Sequence, residues 1–211
     1  HVITEGLSLT PTKPCALHAS GSGSLALDGP VLHSFEDDGR AGARSRARLR
    51  LYVASALVGV AAATLDYARD YTQQRIAFGR PVAHHQGIAF LIAELATNLD
   101  GARLSCWRAS WALAQQGDPT EACAQAFLEA ADSALACGEQ GVQLLGGHGY
   151  MQDHLSEKWM REARTLAQLW GGRDGAIDAL SEQLPTTSKR VGFALPEWQP
   201  AKQGGDHGSA A

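Results

Sequence analysis

The chain has 211 residues, 45% of them hydrophobic, enough for one large domain or two small ones with a full-sized core. A formal net charge of −4 gives no electrostatic reason to expect nucleic acid or an anionic membrane surface as a partner. Four cysteines (Cys15, Cys106, Cys123 and Cys137) show no C-x-x-C pairing and no metal-ligand spacing. Buried free thiols in a reducing cytoplasm are therefore expected.

Residues 1–40 alternate apolar and polar positions between Gly and Pro, as in "EGLSLTPTKP" and "GSLALDGPVLHSF", which predicts short strands. His1 to Leu9 carry no basic flank followed by an apolar run, so no signal peptide is expected. From Ala41 the period turns helical, with Leu51, Ala54, Val58, Ala61 and Leu65 at spacings of three and four, and Gly79 to Pro81 is expected to end this first helix. Its apolar stretch, Leu51 to Leu65, is broken by Ser55, Gly59 and Thr64. It is also shorter than the roughly 20 residues a bilayer span requires, so a core helix and no membrane span are expected. A second helix is read from about His85 to Gln116, with Ile88, Leu91, Leu95, Leu99 and Trp107 along one side. Asp118 can cap a third, Pro119 suits its first position and Glu121 adds favourable first-turn charge. A fourth runs from about Asp153 to Arg164, carrying Glu157 and Arg161 as an i,i+4 surface pair. Gly171 and Gly172 break the pattern before a short helix over Ala176–Leu184, and residues 185–211 read as a flexible tail. The fold class is thus mostly α: an antiparallel four-helix-bundle-like unit over 41–184, preceded by a short β remnant.

A bundle can house two metal ions, but that needs Glu-x-x-His pairs; the helical segments offer only the reversed pair His154 and Glu157, and no metal site is expected. His84, His85 and His207 read as surface or capping residues, and no Rossmann, G-x-S-x-G or Walker sequence is present. Two segments stand out. "QLLGGHGY", Gln143 to Tyr150, ends a helix with glycines that let backbone approach either a ligand or another helix. "RIAFGRPVAHHQ", Arg75 to Gln86, sets a guanidinium fork, an aromatic face and an amide at one helix junction. That set suits a nucleotide and equally a plain structural turn.

Taken in order, Y-x-x-x-R-x-x-F-G (Tyr71 to Gly79), H-Q (His85, Gln86), Q-x-x-G-G-x-G-Y (Gln143 to Tyr150) and E-K-x-x-R-x-x-R (Glu157 to Arg164) resemble the acyl-CoA dehydrogenase family over roughly 42–184. Residues 1–40 resemble the end of that family's middle β domain. The resemblance implies FAD at a subunit interface, an acyl-CoA substrate, and a homo- or hetero-oligomer with an acyl-CoA dehydrogenase-like subunit. It assigns Arg75, Phe78 and Gln86 to one FAD loop and Gln143, Gly146 and Gly147 to a second, both toward the adenine and pyrophosphate half.

The same resemblance exposes two departures. Many members carry the catalytic glutamate directly after a tyrosine following the E-K-x-x-R helix; the matching residues are Trp170 and Gly171. Others place it just before a buried arginine on the first long helix; the matching residues are Leu49 and Arg50. Neither Gly171 nor Leu49 can take a proton, and family members run to nearly twice this length. Three readings follow: a non-catalytic partner subunit of a heteromeric acyl-CoA dehydrogenase, part of a longer enzyme with an unusual base such as Asp174, or a flavin-free helical interaction module.

Overall fold

The computed structural model describes residues 2–4, 7–27, 31–34 and 39–183. Leu184 and the expected tail, with His207, lie outside them. Ahead of the helices stand β1 (Val2–Thr4), β2 (Leu7–Pro11), β3 (Gly23–Leu27) and β4 (Val31–Ser34). β2 pairs antiparallel with β3, and β1 with β4.

Five helices follow: α1 (Arg40–Gln74), α2 (Gln86–Ala114), α3 (Thr120–Leu145), α4 (Ser156–Leu166) and α5 (Gly172–Ser181). The molecule is mostly α, an antiparallel bundle whose long helices are joined by short turns, as the sequence predicts. On α1, Ala47, Ala54, Ala61 and Ala68 recur every seven residues and are all buried, with Val53, Leu57 and Leu65 between them. α3 is the central helix, packing against α1, α2, α4 and α5. Small side chains set how closely its neighbours approach. A Cβ on Gly141 would sit 2.4 Å from Cγ2 of Thr64 on α1, and one on Gly138 would sit 3.1 Å from Cα of Met160 on α4. α1 is the one described helix long and apolar enough to cross a membrane, and its Val53, Ala54, Leu57, Ala61 and Leu65 lie in the bundle core.

Several expectations need correcting. Trp107 is 64% exposed, because the buried line of α2 is Leu95, Leu99, Ala102, Cys106 and Ala109. Trp107 lies one residue round from Cys106, about 100° on the helical wheel, and so faces out. α1 stops at Gln74, before Gly79, because Arg75 turns extended (φ −74, ψ 118) and opens a hairpin. α5 begins at Gly172 rather than Ala176: the glycine pair read as a break is the helix start.

Side chains reach the helix ends at the connection between α2 and α3. The Arg44 guanidinium donates to the carbonyls of Leu113, Gln115 and Gly117, closing the C-terminus of α2. Asp118 accepts from the Thr120 amide at 2.9 Å, the expected cap, and hydrogen bonds from Thr120 hold its carboxyl below the usual range. Pro119 falls one residue ahead of α3. Glu157 and Arg161 do pair, at 2.8 and 3.1 Å, but the pair is more than a surface decoration. Arg161 also donates to the Cys15 carbonyl and ties α4 to the segment between β2 and β3. Cys106, Cys123 and Cys137 are free and buried, and burial pushes each thiol up to about 11; Cys15 is exposed.

Candidate cofactor cleft

Two connections meet at one end of the bundle. Between α1 and α2, β5 (Ile76–Ala77) pairs antiparallel with β6 (Arg80–Pro81). Their two-residue turn is Phe78 and Gly79, with φ of 54° and 80°. Positive φ at both central residues is the geometry that suits a two-residue hairpin turn. Glycine adopts it freely, whereas a bulky aromatic there is strained by about 1–3 kcal/mol. Phe78 is also 96% exposed. His85 pins this hairpin: Arg80 donates to its Nδ1 at 3.1 Å, which leaves Nε2–H to donate to the Ala77 carbonyl at 3.2 Å. Gln86 opens α2 and is exposed.

Between α3 and α4, Gly146–Tyr150 forms a tight 3-10 turn, with Gly146 at φ 59°. The three glycines divide their work. A Cβ on Gly146 or Gly147 would meet nothing within 4 Å, while one on Gly149 would lie 2.3 Å from the Val142 carbonyl oxygen. Gly149 therefore serves packing, and the first two leave an open backbone surface.

That surface is one wall of a cleft of about 630 Å³. Tyr71 and Arg75 from the end of α1, and Gln143, Gly146, Gly147 and His148 from the end of α3, line it, over apolar Ile88 and Leu91. The structure thus brings together Arg75, Gln143, Gly146 and Gly147, although 68 residues separate Arg75 from Gln143. It leaves Phe78 and Gln86 outside the cleft lining, on the hairpin and the first turn of α2. The Arg75 guanidinium is exposed, with no side-chain partner among the described residues.

Two tyrosine–histidine pairs escaped the sequence reading. The Tyr67 hydroxyl is hydrogen-bonded with His154 Nδ1 at 2.7 Å, and the Tyr71 hydroxyl with His148 Nδ1 at 3.1 Å. Their signal was available in part: Tyr67 and Tyr71 are i,i+4 and so share one face of α1.

A second place gathers the positions matched to a catalytic base. Trp170 (φ 55°), Gly171 (φ 90°) and Gly172 (φ 60°) turn the chain into α5. Arg50, 8% exposed, donates to the Gly175 carbonyl at 2.5 Å, and its Nε has no partner among the described residues. Burial pulls its pKa below the ordinary arginine value. Leu49 is half-buried beside it, and Asp174 is exposed in the first turn of α5. Among the described residues no group of three or more His, Cys, Asp or Glu is placed to hold a metal ion.

Residues 44–183 match the family profile for the acyl-CoA dehydrogenase C-terminal domain. The short-chain specific acyl-CoA dehydrogenase of Rattus norvegicus mitochondria is 39% identical over 123 residues, covering 58% of this chain and 30% of that protein. The structure of glutaryl-coenzyme A dehydrogenase in its glutaryl-CoA complex aligns with a TM-score of 0.75 at 26% identity, covering 84% of this chain and 47% of the other. Butyryl-CoA dehydrogenase from Megasphaera elsdenii, at 24% identity and a TM-score of 0.76 over 85% of this chain and 49% of the other, shares the fold. The chain therefore spans about half the length of these solved structures and less of its curated relative. It belongs to the acyl-CoA dehydrogenase family, whose C-terminal domain it carries.

Proposed function

We propose that this chain is a flavoprotein subunit that contributes the adenine and pyrophosphate side of an FAD site to the α,β-dehydrogenation of an acyl-CoA thioester. The observation that carries the reading is the single cleft joining Arg75 to Gln143, Gly146 and Gly147. The residues fit a dinucleotide. An exposed guanidinium without a side-chain partner suits a pyrophosphate. The open backbone at Gly146 and Gly147 admits close approach, and the Gln143 side chain offers both donor and acceptor. α3 presents its carbonyl end here, which disfavours an anion, so the glycines supply proximity and Arg75 supplies the charge. Phe78, strained and exposed on its hairpin, is held out as a face for a ring or a neighbouring subunit.

FAD held by Arg75, Gln143, Gly146 and Gly147 would supply the acceptor for a hydride from the β carbon, and the α proton would need a carboxylate base. Gly171 and Leu49 leave this chain without that carboxylate at the positions matched to it, so on this reading base and ring pocket come from a different, acyl-CoA dehydrogenase-like subunit of a hetero-oligomer. The free thiols, three of them buried, support a cytoplasmic setting for this reading. A second reading, a single longer acyl-CoA dehydrogenase with Asp174 as an unusual base, is favoured by the chain covering only 30% of a curated relative.

Mass spectrometry of the particle purified from its source, with FAD stoichiometry and acyl-CoA-dependent dye reduction, tests both. A second related chain in a yellow, active particle supports the subunit reading; one longer parent chain supports the second. A particle with neither FAD nor dye reduction overturns both.

A further inference from the structure

The cleft contains one pair that dinucleotide binding through Arg75 and the glycines leaves unused. The Tyr71 hydroxyl meets His148 Nδ1 at 3.1 Å, and both residues line the cleft. A neutral phenol has one proton to donate; donated to Nδ1, it leaves the imidazole proton on Nε2. The ring is braced from a second side. His154, itself bonded by the Tyr67 hydroxyl at 2.7 Å, stands edge-on to His148 with ring centroids 5.5 Å apart, and edge-on to Tyr71 at 6.0 Å. Trp159 of α4 in turn meets Tyr67 edge-on at 5.8 Å. A surface histidine without a task does not need this much support.

The electrostatics of the place give it one. The carbonyl end of α3 opposes a bound anion, and Arg75 is the only cationic side chain among the residues lining the cleft. His148 follows Gly147 directly, at the wall where backbone is open. We propose that His148 is a ligand-facing donor of this cleft, presenting Nε2–H to the pyrophosphate half of the dinucleotide beside Arg75, with Tyr71 as the positioning residue that fixes its tautomer. The inference rests on the FAD reading above and deepens it.

Long-range proton–nitrogen NMR of the full 211-residue chain tests it, with ADP as the probe and His148→Gln to assign the ring. The expected result has three parts. Wild type shows the Nε2–H tautomer, and Tyr71→Phe, which keeps the ring, shows a mixture. Millimolar ADP shifts the His148 Nε2 resonance together with the Gly146 and Gly147 amides. In the FAD-loaded assembly, His148→Phe loses FAD about two- to tenfold more readily on dilution, the worth of one neutral hydrogen bond, and His148→Gln recovers part of the loss. If ADP shifts the glycine amides but not His148, the proposal falls and the cleft reading stands. If ADP shifts neither, both fall. An Nδ1–H tautomer in wild type also overturns the role given to Tyr71.

Discussion

Arg75 leaves α1 on extended backbone and projects an exposed guanidinium beside the open face of Gly146 and Gly147. A charged hydrogen bond to a phosphate contributes about 1.5–3 kcal/mol, so Arg75→Ala is expected to weaken FAD retention by the assembly roughly ten- to a hundredfold. The bundle should unfold at nearly the wild-type temperature, since no described side chain depends on this guanidinium. Equal FAD occupancy of variant and wild type across a dilution series would remove Arg75 from the site. Gly171 poses the opposite test, a group added rather than removed. A Cβ there has open space, but φ of 90° strains any L side chain by about 1–3 kcal/mol. Gly171→Glu should therefore lower stability and, on the proposed subunit reading, leave acyl-CoA turnover of the assembly unchanged, because that reading puts neither thioester nor ring at this turn. A longer enzyme with a complete site would respond to a positioned base by about 10²–10⁴-fold, and a rate that follows the new carboxylate's titration would establish it. Residues of the site were legible unevenly. Arg75, Gln143, Gly146 and Gly147 were assigned only through the resemblance to the acyl-CoA dehydrogenase family, and the fold sets them around one cleft. Tyr71 and His148 lay inside the same motifs, yet their pairing depends on the 3-10 turn bringing residue 148 back onto α1, a contact that no local pattern encodes.

At the level of elements, helical periodicity located α1 and α2 because their apolar faces repeat at three and four residues, and the start signals at Asp118, Pro119 and Glu121 located α3, while α5 begins four residues ahead of the range read for it. It misjudged Trp107 because a large apolar residue reads as core whether or not it falls on the buried line. The hairpin between α1 and α2 was missed because its strands are two residues each, too short for any alternation to show. Glycine inside α3 is where a local rule and the fold conflict. Gly141 costs the isolated helix about 1 kcal/mol relative to alanine, yet its missing Cβ is what admits Thr64. Gly141→Ala should destabilise the chain by about 1–3 kcal/mol in denaturant unfolding, overpacking outweighing the gain in propensity. Thr64→Ser, which removes the offending Cγ2 and keeps the hydroxyl bonded to the Val60 carbonyl, should recover much of that loss in the double variant. Additive losses would mean that the two helices do not meet as closely as 2.4 Å implies.

Across the whole molecule, the features proposed for cofactor binding point outward. The cleft is an open groove at one end of the bundle, Phe78 projects from its rim region, and α2 leaves Phe90, Trp107 and Trp111 each more than 60% exposed. Large aromatics held in water over one helix suit an assembly that covers them better than a monomer. The relatives that share the fold are about twice as long, and what they add is not described by these residues. On the proposed reading the groove contacts only half of a dinucleotide, so it gains only part of the favourable contacts while association still costs the full loss of translational and rotational freedom. The purified 211-residue chain alone is therefore expected to be colourless, to bind FAD at far below one equivalent, and to reduce no dye with any acyl-CoA. Equilibrium dialysis against FAD and a dye-reduction assay check this directly, and adding the partner or the remaining half of the protein should restore both signals together. A yellow, active preparation of the isolated chain would show that ring pocket and base reside within these 211 residues, and would make a search around Asp174 the next step.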